Sequence, residues 1–262
     1  MPEQRDAEGY ATVRAGSLWA PPRRDQVVVI GPDAATYLQG QLSQNVIALK
    51  VDAMAWTFLL DPSGKLGFWL RVTRETSETF ILDGDPGCGP DVVARLLRFK
   101  LRTAAEIELR AAPTSSDGSA DPELMASRIE AGIPSFGAEL VDDVIPAELG
   151  QWFIDASVNF SKGCYTGQEL VARIDSRGAN VPRNLRGFIL EGREVVPPGA
   201  EVTSGGKVVG TVTSSTYSAK LRAPIALGFV HRTIIPSSRV TLVWDDQMVS
   251  AEVRELPMVT DQ

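Results

Sequence analysis

Histidine and cysteine are scarce in this sequence, and their scarcity excludes several kinds of site. The 262 residues include one histidine and two cysteines. These cannot form a four-ligand structural zinc site, and they cannot give an iron–sulfur cluster four thiolates from one chain. A serine–histidine–aspartate triad would have to use His231, which follows an apolar run and has no nucleophile motif beside it. We therefore interpret His231 as a strand-end residue and predict no metal site.

Long apolar runs and an excess of basic charge are also lacking. No apolar stretch reaches the length of a membrane span, and the polar N-terminus has no signal-peptide core. The formal net charge of −7 argues against broad binding to nucleic acid or to an anionic membrane. No glycine-rich dinucleotide fingerprint follows an expected strand. We expect a cytoplasmic protein without a membrane partner.

The order of the expected elements divides the chain into three parts. Residues 1–25 are polar and contain prolines, which is typical of a loose arm. Residues 26–184 mix strand and helix patterns. Residues 185–262 contain short strands separated by turn signals, which predicts a small antiparallel β-domain.

Helix signals in the middle part rest on capping residues. Asp33 follows a short apolar strand and can cap a helix that runs to about Ser43. A basic amphipathic helix is expected over residues 91–104. Asp121 and Pro122 have the chemistry of an N-cap and a first turn, for a helix that ends at Gly132.

Residues 162–173, which read KGCYTGQELVAR, gather most of the chemistry of the chain. Thr166 and Glu169 have the spacing of a capping box, which predicts a helix over residues 168–174. Cys164 would then lie just before a helix N-terminus, where the partial positive charge and Lys162 favour the thiolate. The alternative interpretation is a buried cysteine in a tight turn.

Basic residues are concentrated in two stretches. Residues 162–186 contain five basic and two acidic residues, and residues 92–105 contain four basic and no acidic ones. Solvated helix faces can account for such runs. An anion near the 162–173 motif is the other interpretation, either the carboxylate of a small ligand or a nucleic-acid phosphate.

Three motifs in chain order resemble the YgfZ family of folate-binding proteins, which are related to the T-protein aminomethyltransferase of the glycine cleavage system. They are YLQGQ at residues 37–41, RIEAGIP at 128–134, and KGCYTGQE followed by VAR at 162–173. The resemblance extends from about residue 27 to residue 257. It implies an α+β, three-lobed aminomethyltransferase (T-protein)-like fold with a C-terminal antiparallel β-barrel, in which residues 26–184 bind folate.

The same resemblance implies tetrahydrofolate as the ligand and Cys164 as the catalytic, chemically active group. It implies that Glu130 binds the pterin ring of the folate. A carboxylate can accept two parallel hydrogen bonds from an aminopyrimidinone edge. A solvated glutamate at a helix end is the alternative. The other expected folate-binding residues are Arg128, Lys162, Gly163, Tyr165, Gln168 and Arg173.

The resemblance implies an accessory protein that maintains or repairs iron–sulfur enzymes and affects tRNA modification. We expect a monomer whose partners are folate and iron–sulfur client proteins. A tetrahydrofolate-dependent aminomethyltransferase and a tRNA-binding protein are the alternatives. The T-protein carries an aspartate pair in the strand after its glycine turn, whereas residues 64–69 here read GKLGFW and lack a proton-handling carboxylate. The sequence leaves open whether the chain is an enzyme, and whether Cys164 acts by redox chemistry, sulfur transfer or metal ligation.

Overall fold

The structure, a computed structural model, describes residues 24–110, 122–176 and 181–259, apart from the side chains of residues 174–176. Asp121 and nearly all of the arm expected at residues 1–25 lie outside the described residues. The described strands are β1 (Asp25–Ile30), β2 (Met54–Leu60), β3 (Leu66–Arg74), β4 (Thr79–Gly84), β5 (Glu106–Arg110), β6 (Arg183–Leu190), β7 (Glu201–Ser204), β8 (Lys207–Ser218), β9 (Ala223–His231), β10 (Arg239–Trp244) and β11 (Gln247–Arg254). The helices are α1 (Ala34–Gln41), α2 (Gly89–Arg98), α3 (Pro122–Ala131), a 3-10 helix (Pro146–Leu149), α4 (Gln151–Ser157) and α5 (Gln168–Ser176).

The first five strands form an antiparallel sheet in the order β2-β3-β4-β1-β5. Strand β1 lies between β4 and β5 and is rich in valine, which packs well on a pleated surface. Because side chains alternate across a strand, Val27 and Val29 share one face. They pack there with Leu38 of α1 and Leu96 of α2, so this face of the sheet is covered by helices.

The C-terminal strands close into a barrel in the order β10-β11-β6-β9-β8-β7, and β7 pairs with β10. Alternate residues fill the interior, where Phe188, Val202 and Leu242 are fully buried. The turn between β7 and β8 lies at Gly205 and Gly206, whose positive φ angles of 57° and 75° suit glycine. The expectation of antiparallel β-structure in this part of the chain is confirmed. Its boundary at residue 185 stays a prediction.

A third cluster of buried side chains joins the sheet to the barrel. Trp69 of β3 stacks on Trp56 with 4.1 Å between ring centroids and lies 4.8 Å from the ring of Phe153 in α4. Leu227 and Phe229 on the barrel strand β9 belong to the same cluster. Aromatic pairs of this kind add about 0.5–1.5 kcal/mol beyond the area that they bury. The lobes are therefore held together mainly by apolar contact.

Two expected helix features are wrong. Helix α2 ends at Arg98, not at residue 104, because Phe99 N–H bonds the Leu96 carbonyl in a tightened last turn and Arg102 has φ of 48°. The Asp33 side chain does not cap α1. Its Oδ2 instead accepts a hydrogen bond of 2.8 Å from the backbone N–H of Ala104. A tertiary contact has therefore taken the acceptor that the local pattern assigned to the helix.

Candidate functional site

The segment around Cys164 is braced against the end of α1 and the turn between β2 and β3. Thr166 N–H donates to the Gly40 carbonyl at 3.0 Å. Gly167 has φ of 81°, and a Cβ there would lie 2.5 Å from the Asp61 carbonyl oxygen. Only glycine fits this approach without displacing backbone. The YLQGQ and KGCYTGQE motifs, far apart in sequence, therefore form one structural unit.

Lys162 binds this unit together through its ammonium group. Nζ donates to the backbone carbonyls of Gln39, at 2.6 Å, and Gln44, at 3.0 Å, and also to that of Leu42. It also lies 4.9 Å from the centre of the Tyr165 ring. An ammonium has three donors, so these carbonyls use its full capacity. Burial lowers the pKa of Lys162 to about 8. The structure thus places Lys162 on the protein backbone, and its expected role on folate stays a prediction.

The expected capping box is absent. Helix α5 begins at Gln168. The Thr166 hydroxyl donates to the Gly40 carbonyl at 3.4 Å, so the Thr166 side chain turns toward α1 and not toward α5. The Gln168 side chain reaches back instead, and its Oε1 accepts from Tyr165 N–H at 3.2 Å. Gln168 is therefore used to shape the turn that carries Cys164.

The two cysteines have opposite environments. Cys164 is exposed, whereas Cys88 is buried at 3% relative exposure at the start of α2. Burial, with Asp85 and Asp25 nearby, raises the pKa of Cys88 to about 12. A Cβ on Gly163 would meet no atom within 4 Å, so the chain beside Cys164 is open on that side. A reagent or partner can reach Cys164 in the folded protein.

Glu130 lies at the C-terminal end of α3, where that helix meets the barrel. Its Oε1 accepts a short hydrogen bond from Ser218 at the end of β8, and its backbone carbonyl accepts from Met258 N–H at 2.7 Å. The side chain is half-buried. Among the described residues, no hydrogen bond engages its second oxygen, Oε2. Glu130 therefore combines a fixed position with an acceptor that can still take a ligand.

Arg128 has a different environment from Glu130, although it lies only two residues away. Its side chain is 6% exposed and pairs with the fully buried Glu139 at 2.9 Å. It also donates to the Ile133 carbonyl at 2.8 Å and to the Ser214 hydroxyl at 2.6 Å. Glu139 in turn accepts from the Thr213 and Ser214 hydroxyls, both at 2.6 Å. Arg128 thus stabilises the contact between α3 and the barrel, and its expected role on folate stays a prediction.

The remaining expected residues are spread over the 162–173 segment. Gly163 is exposed and Tyr165 is half-buried against the cluster between the lobes, where burial raises the pKa of the Tyr165 hydroxyl to about 12. Arg173 lies on an exposed position of α5. Tyr165 and the α3 residue Ile129 meet the same apolar cluster, and this is the structural connection between the two candidate sites.

No carboxylate lies in β3, the strand that follows the glycine turn at Gly64. Trp69 in this strand packs in the apolar cluster between the sheet and the barrel. Its indole N–H donates to Ser157 Oγ at 3.0 Å. The neighbouring Asp83 on β4 is buried and paired with Arg24 and, at 3.0 Å, with Arg71. Asp83 is therefore held in ion pairs with two arginines. In the described ranges, no group of three or more histidine, cysteine, aspartate or glutamate residues is placed to hold a metal ion. No helix in those ranges is both long and apolar enough to cross a membrane.

Sequence reasoning missed Glu139, Ser218 and the carbonyl acceptors of α1. Glu139 stands alone as an acid in the segment PSFGAEL, and Ser218 is one of many polar residues on β8. A backbone carbonyl has no sequence signature at all. Only the docking of the barrel on α3, and of the 162–173 segment on α1, creates these partners.

Similarities to other proteins extend over most of the chain. Residues 183–260 match the family described as the glycine cleavage T-protein C-terminal barrel domain. An uncharacterized protein of Haemophilus influenzae is 27% identical, over 72% of this chain and 80% of that protein. An aminomethyltransferase of a Nostoc species is 30% identical over 80% of this chain, and one of Streptomyces coelicolor is 38% identical over 39% of it. This chain spans half the length of the Nostoc protein and 27% of the Streptomyces protein.

The fold has a counterpart among crystal structures. The glycine cleavage system aminomethyltransferase T from Bartonella henselae superimposes with a TM-score of 0.74, at 15% identity, over 90% of this chain and 84% of that one. The expected aminomethyltransferase-like fold with a C-terminal antiparallel β-barrel is confirmed. Residues 183–260 are therefore similar to the T-protein C-terminal barrel domain, and the chain as a whole has the fold of an aminomethyltransferase T.

Proposed function

We propose that this protein binds tetrahydrofolate through Glu130 and uses Cys164 as a reactive thiol in the maintenance or repair of iron–sulfur enzymes. The folate part rests on homology to aminomethyltransferases, and the accessory role rests on the resemblance of the 162–173 motif to the YgfZ family. The observation that carries the proposal is the state of the Glu130 carboxylate. Ser218 fixes one oxygen at the junction of α3 and the barrel, and the other oxygen has acceptor capacity left.

The position of Glu130 suits a pterin. The ring N–H and exocyclic amino group of an aminopyrimidinone donate in parallel, and a carboxylate can accept both bonds. Partial burial strengthens such charge-assisted bonds, because water competes less for the acceptor. The apolar cluster next to α3 has partly buried side chains at its edge, Trp56 and Met125, on which an aromatic ring system can pack.

The position of Cys164 suits a thiol that acts on a partner macromolecule. The cysteine is exposed, yet the residues around it are fixed by Lys162 and Gly167. A fixed and accessible thiol loses little conformational freedom when it reacts, which favours its attack on a bound partner. Redox chemistry, sulfur transfer and transient metal ligation all fit this arrangement.

Methylene transfer is the second candidate function, favoured by the similarity to proteins named as aminomethyltransferases. Strand β3 lacks the carboxylate that such chemistry would use, and the nearby Asp83 is engaged by two arginines.

RNA binding is a weaker candidate, because one of the basic residues that could contact phosphate is used inside the protein. Arg95 of α2 donates to the Leu60 carbonyl at 2.7 Å and stacks on Phe99, so it serves packing.

Calorimetric titration of tetrahydrofolate into the wild-type protein and into Cys164→Ala tests the proposal. We expect both proteins to bind, with dissociation constants within about threefold of each other. In cells that lack the protein, only the wild type should restore the activity of iron–sulfur enzymes. An absence of folate binding by the wild type would refute the folate part, and full restoration by Cys164→Ala would refute the thiol part.

A transfer assay separates the second candidate. With aminomethylated carrier protein and tetrahydrofolate, we expect no formation of methylenetetrahydrofolate above background. Turnover on the order of 1 per second or faster would be typical of a dedicated enzyme and would make the protein a transferase.

A further inference from the structure

A cavity lies between the barrel and the segment before the 3-10 helix. The cavity has a volume of about 430 Å³ and is lined on one side by Val141 and Val144, and on the other by Val209, Thr211 and Phe229 of the barrel. This volume lies in the range of sites that bind small molecules. Neither Glu130 nor any residue of the 162–173 motif lines it, so it is distinct from the proposed folate site.

Arg183 lines this cavity and is held in one orientation. Its Nε donates to Glu148 at 3.1 Å, and its guanidinium group lies 4.7 Å from the centre of the Phe229 ring. Glu148 is itself fixed, since it is 2% exposed and accepts from Ile145 N–H at 3.2 Å. Nη2 makes only a long contact of 3.4 Å, to the Asp143 carbonyl. In the described part of the chain, no hydrogen bond engages Nη1.

The same cavity contains the single histidine of the sequence, whose neighbours give it no catalytic partner. His231 is exposed at the end of β9, and its Nδ1 is within 2.9 Å of the Thr233 hydroxyl. This contact leaves the other ring nitrogen for a ligand. Thr211, on the facing strand β8, is exposed beside it. The cavity therefore has apolar walls, and polar groups on Arg183, His231 and Thr211.

We propose that this cavity binds a small molecule with an apolar or aromatic body and a carboxylate, which Arg183 receives. An arginine that is already stacked and anchored loses little entropy when it binds a carboxylate through its remaining N–H groups. The valines and Phe229 give the body of the ligand an apolar surface. Glu148 neutralises part of the arginine charge, so binding depends on apolar contact as well as on the ion pair. The proposal does not depend on the folate site.

A fluorine NMR titration tests the proposal with 4-(trifluoromethyl)phenylacetate as the probe. Its primary amide is the matched neutral ligand. We expect saturable binding of the acid at about millimolar concentration and at least about fivefold weaker binding of the amide. Arg183→Lys keeps the charge but loses the planar fork, and should weaken the acid severalfold while changing the amide little.

Cavity-filling variants locate the binding. Val209→Trp places an indole in the cavity, whereas Val208→Trp changes the adjacent residue, which does not line the cavity and is 58% exposed. The first should weaken probe binding at least about tenfold and the second should leave it unchanged. Thr211→Trp, at an exposed lining position, repeats the test if Val209→Trp folds poorly.

Titration of Val209→Trp with tetrahydrofolate tests whether the cavity and the proposed folate site are separate. We expect this variant to bind folate with the same affinity as the wild type. The proposal is wrong if the acid shows no saturable binding, if acid and amide bind equally, or if the filled and control variants bind the probe alike.

Discussion

Two glutamates contact the same barrel strand and differ in how many partners the fold gives them. Glu139 is fully buried and accepts hydrogen bonds from Arg128, Thr213 and Ser214. The Glu130 side chain is half-buried, and its carboxylate accepts from Ser218 alone among the described residues. Both meet strand β8, yet Glu139 has no capacity left for a ligand, whereas Glu130 retains it.

The same contrast occurs in the motif segment. Lys162 uses its three donors on the carbonyls of Gln39, Leu42 and Gln44, whereas Cys164, two residues away, is exposed. A polar group that is saturated by protein partners stabilises the fold, and it is costly to redirect toward a ligand. Under the proposed function, Glu130 and Cys164 act on the ligand and the partner, while Glu139, Arg128 and Lys162 stabilise the fold around them.

The largest expected difference is between the two cysteines. Alkylation by iodoacetamide at pH 8 should modify Cys164 at least about a thousandfold faster than Cys88, because Cys88 is buried and its pKa is raised to about 12. Mass spectrometry on Cys88→Ser and Cys164→Ser measures the two rates separately. Comparable rates in the folded protein would remove the contrast between a reactive and a structural thiol.

The second largest expected difference is in the stability loss caused by alanine at the two glycines that flank Cys164. Gly167→Ala adds a Cβ at 2.5 Å from the Asp61 carbonyl oxygen with φ at 81°, and should lower the free energy of unfolding by about 2–4 kcal/mol. Gly163→Ala is the control, since a Cβ there meets no atom within 4 Å. Urea denaturation measures both. Equal losses would show that the segment is not braced as described.

The smallest expected effect is the contribution of Lys162 to the pH dependence of stability. The direction of its pKa shift determines the sign of this contribution. Its pKa is about 8 in the folded protein and ordinarily 10.5, so the unfolded chain holds the extra proton between these values. Stability should therefore rise with pH in this window. Relative to Lys162→Met, the wild type should gain on the order of 1 kcal/mol between pH 8 and 9.5, after allowance for partial exposure.

Lys65 is the control for this measurement. It is exposed, and a hydrogen bond to Asp143 raises its pKa. Wild type and Lys65→Met should show no such rise in relative stability between pH 8 and 9.5. If Lys162→Met shows the same pH dependence as the wild type, Lys162 is not buried on the carbonyls of α1.

Local patterns predicted the antiparallel β-structure of the C-terminal part of the chain. Its short runs of strand-forming residues are separated by turn chemistry, as at Gly205 and Gly206. Helix α4 was missed, since its seven residues around Trp152 and Phe153 are too few to show a helical period. The cap at Asp33 was wrong because a tertiary partner took its carboxylate, and the capping box at Thr166 was wrong because Thr166 N–H donates to Gly40 and not to Glu169.

The candidate site could be predicted only in part. The motifs identify Cys164 and Glu130, and their exposure is compatible with the roles that the resemblance implies. The same motifs also contain Arg128 and Lys162, whose partners include Ser214 and Gln39, 86 and 123 residues away along the chain. Sequence spacing cannot show whether such distant acceptors exist. Residue type alone therefore cannot separate a ligand-binding arginine or lysine from a structural one.

The most direct test of this account measures unfolding and tetrahydrofolate binding on the same two variants. Glu130→Ala should weaken folate binding by about 2–4 kcal/mol, roughly 30- to 1000-fold, and cost only about 1 kcal/mol of stability, from the bond to Ser218. Glu139→Ala should cost about 3–5 kcal/mol of stability, because it leaves Arg128 buried and unpaired, and change folate affinity less than about threefold. Glu139→Gln replaces it if the alanine variant does not fold. The opposite pattern, with folate affinity lost at Glu139 and retained at Glu130, would contradict the assignment of both glutamates.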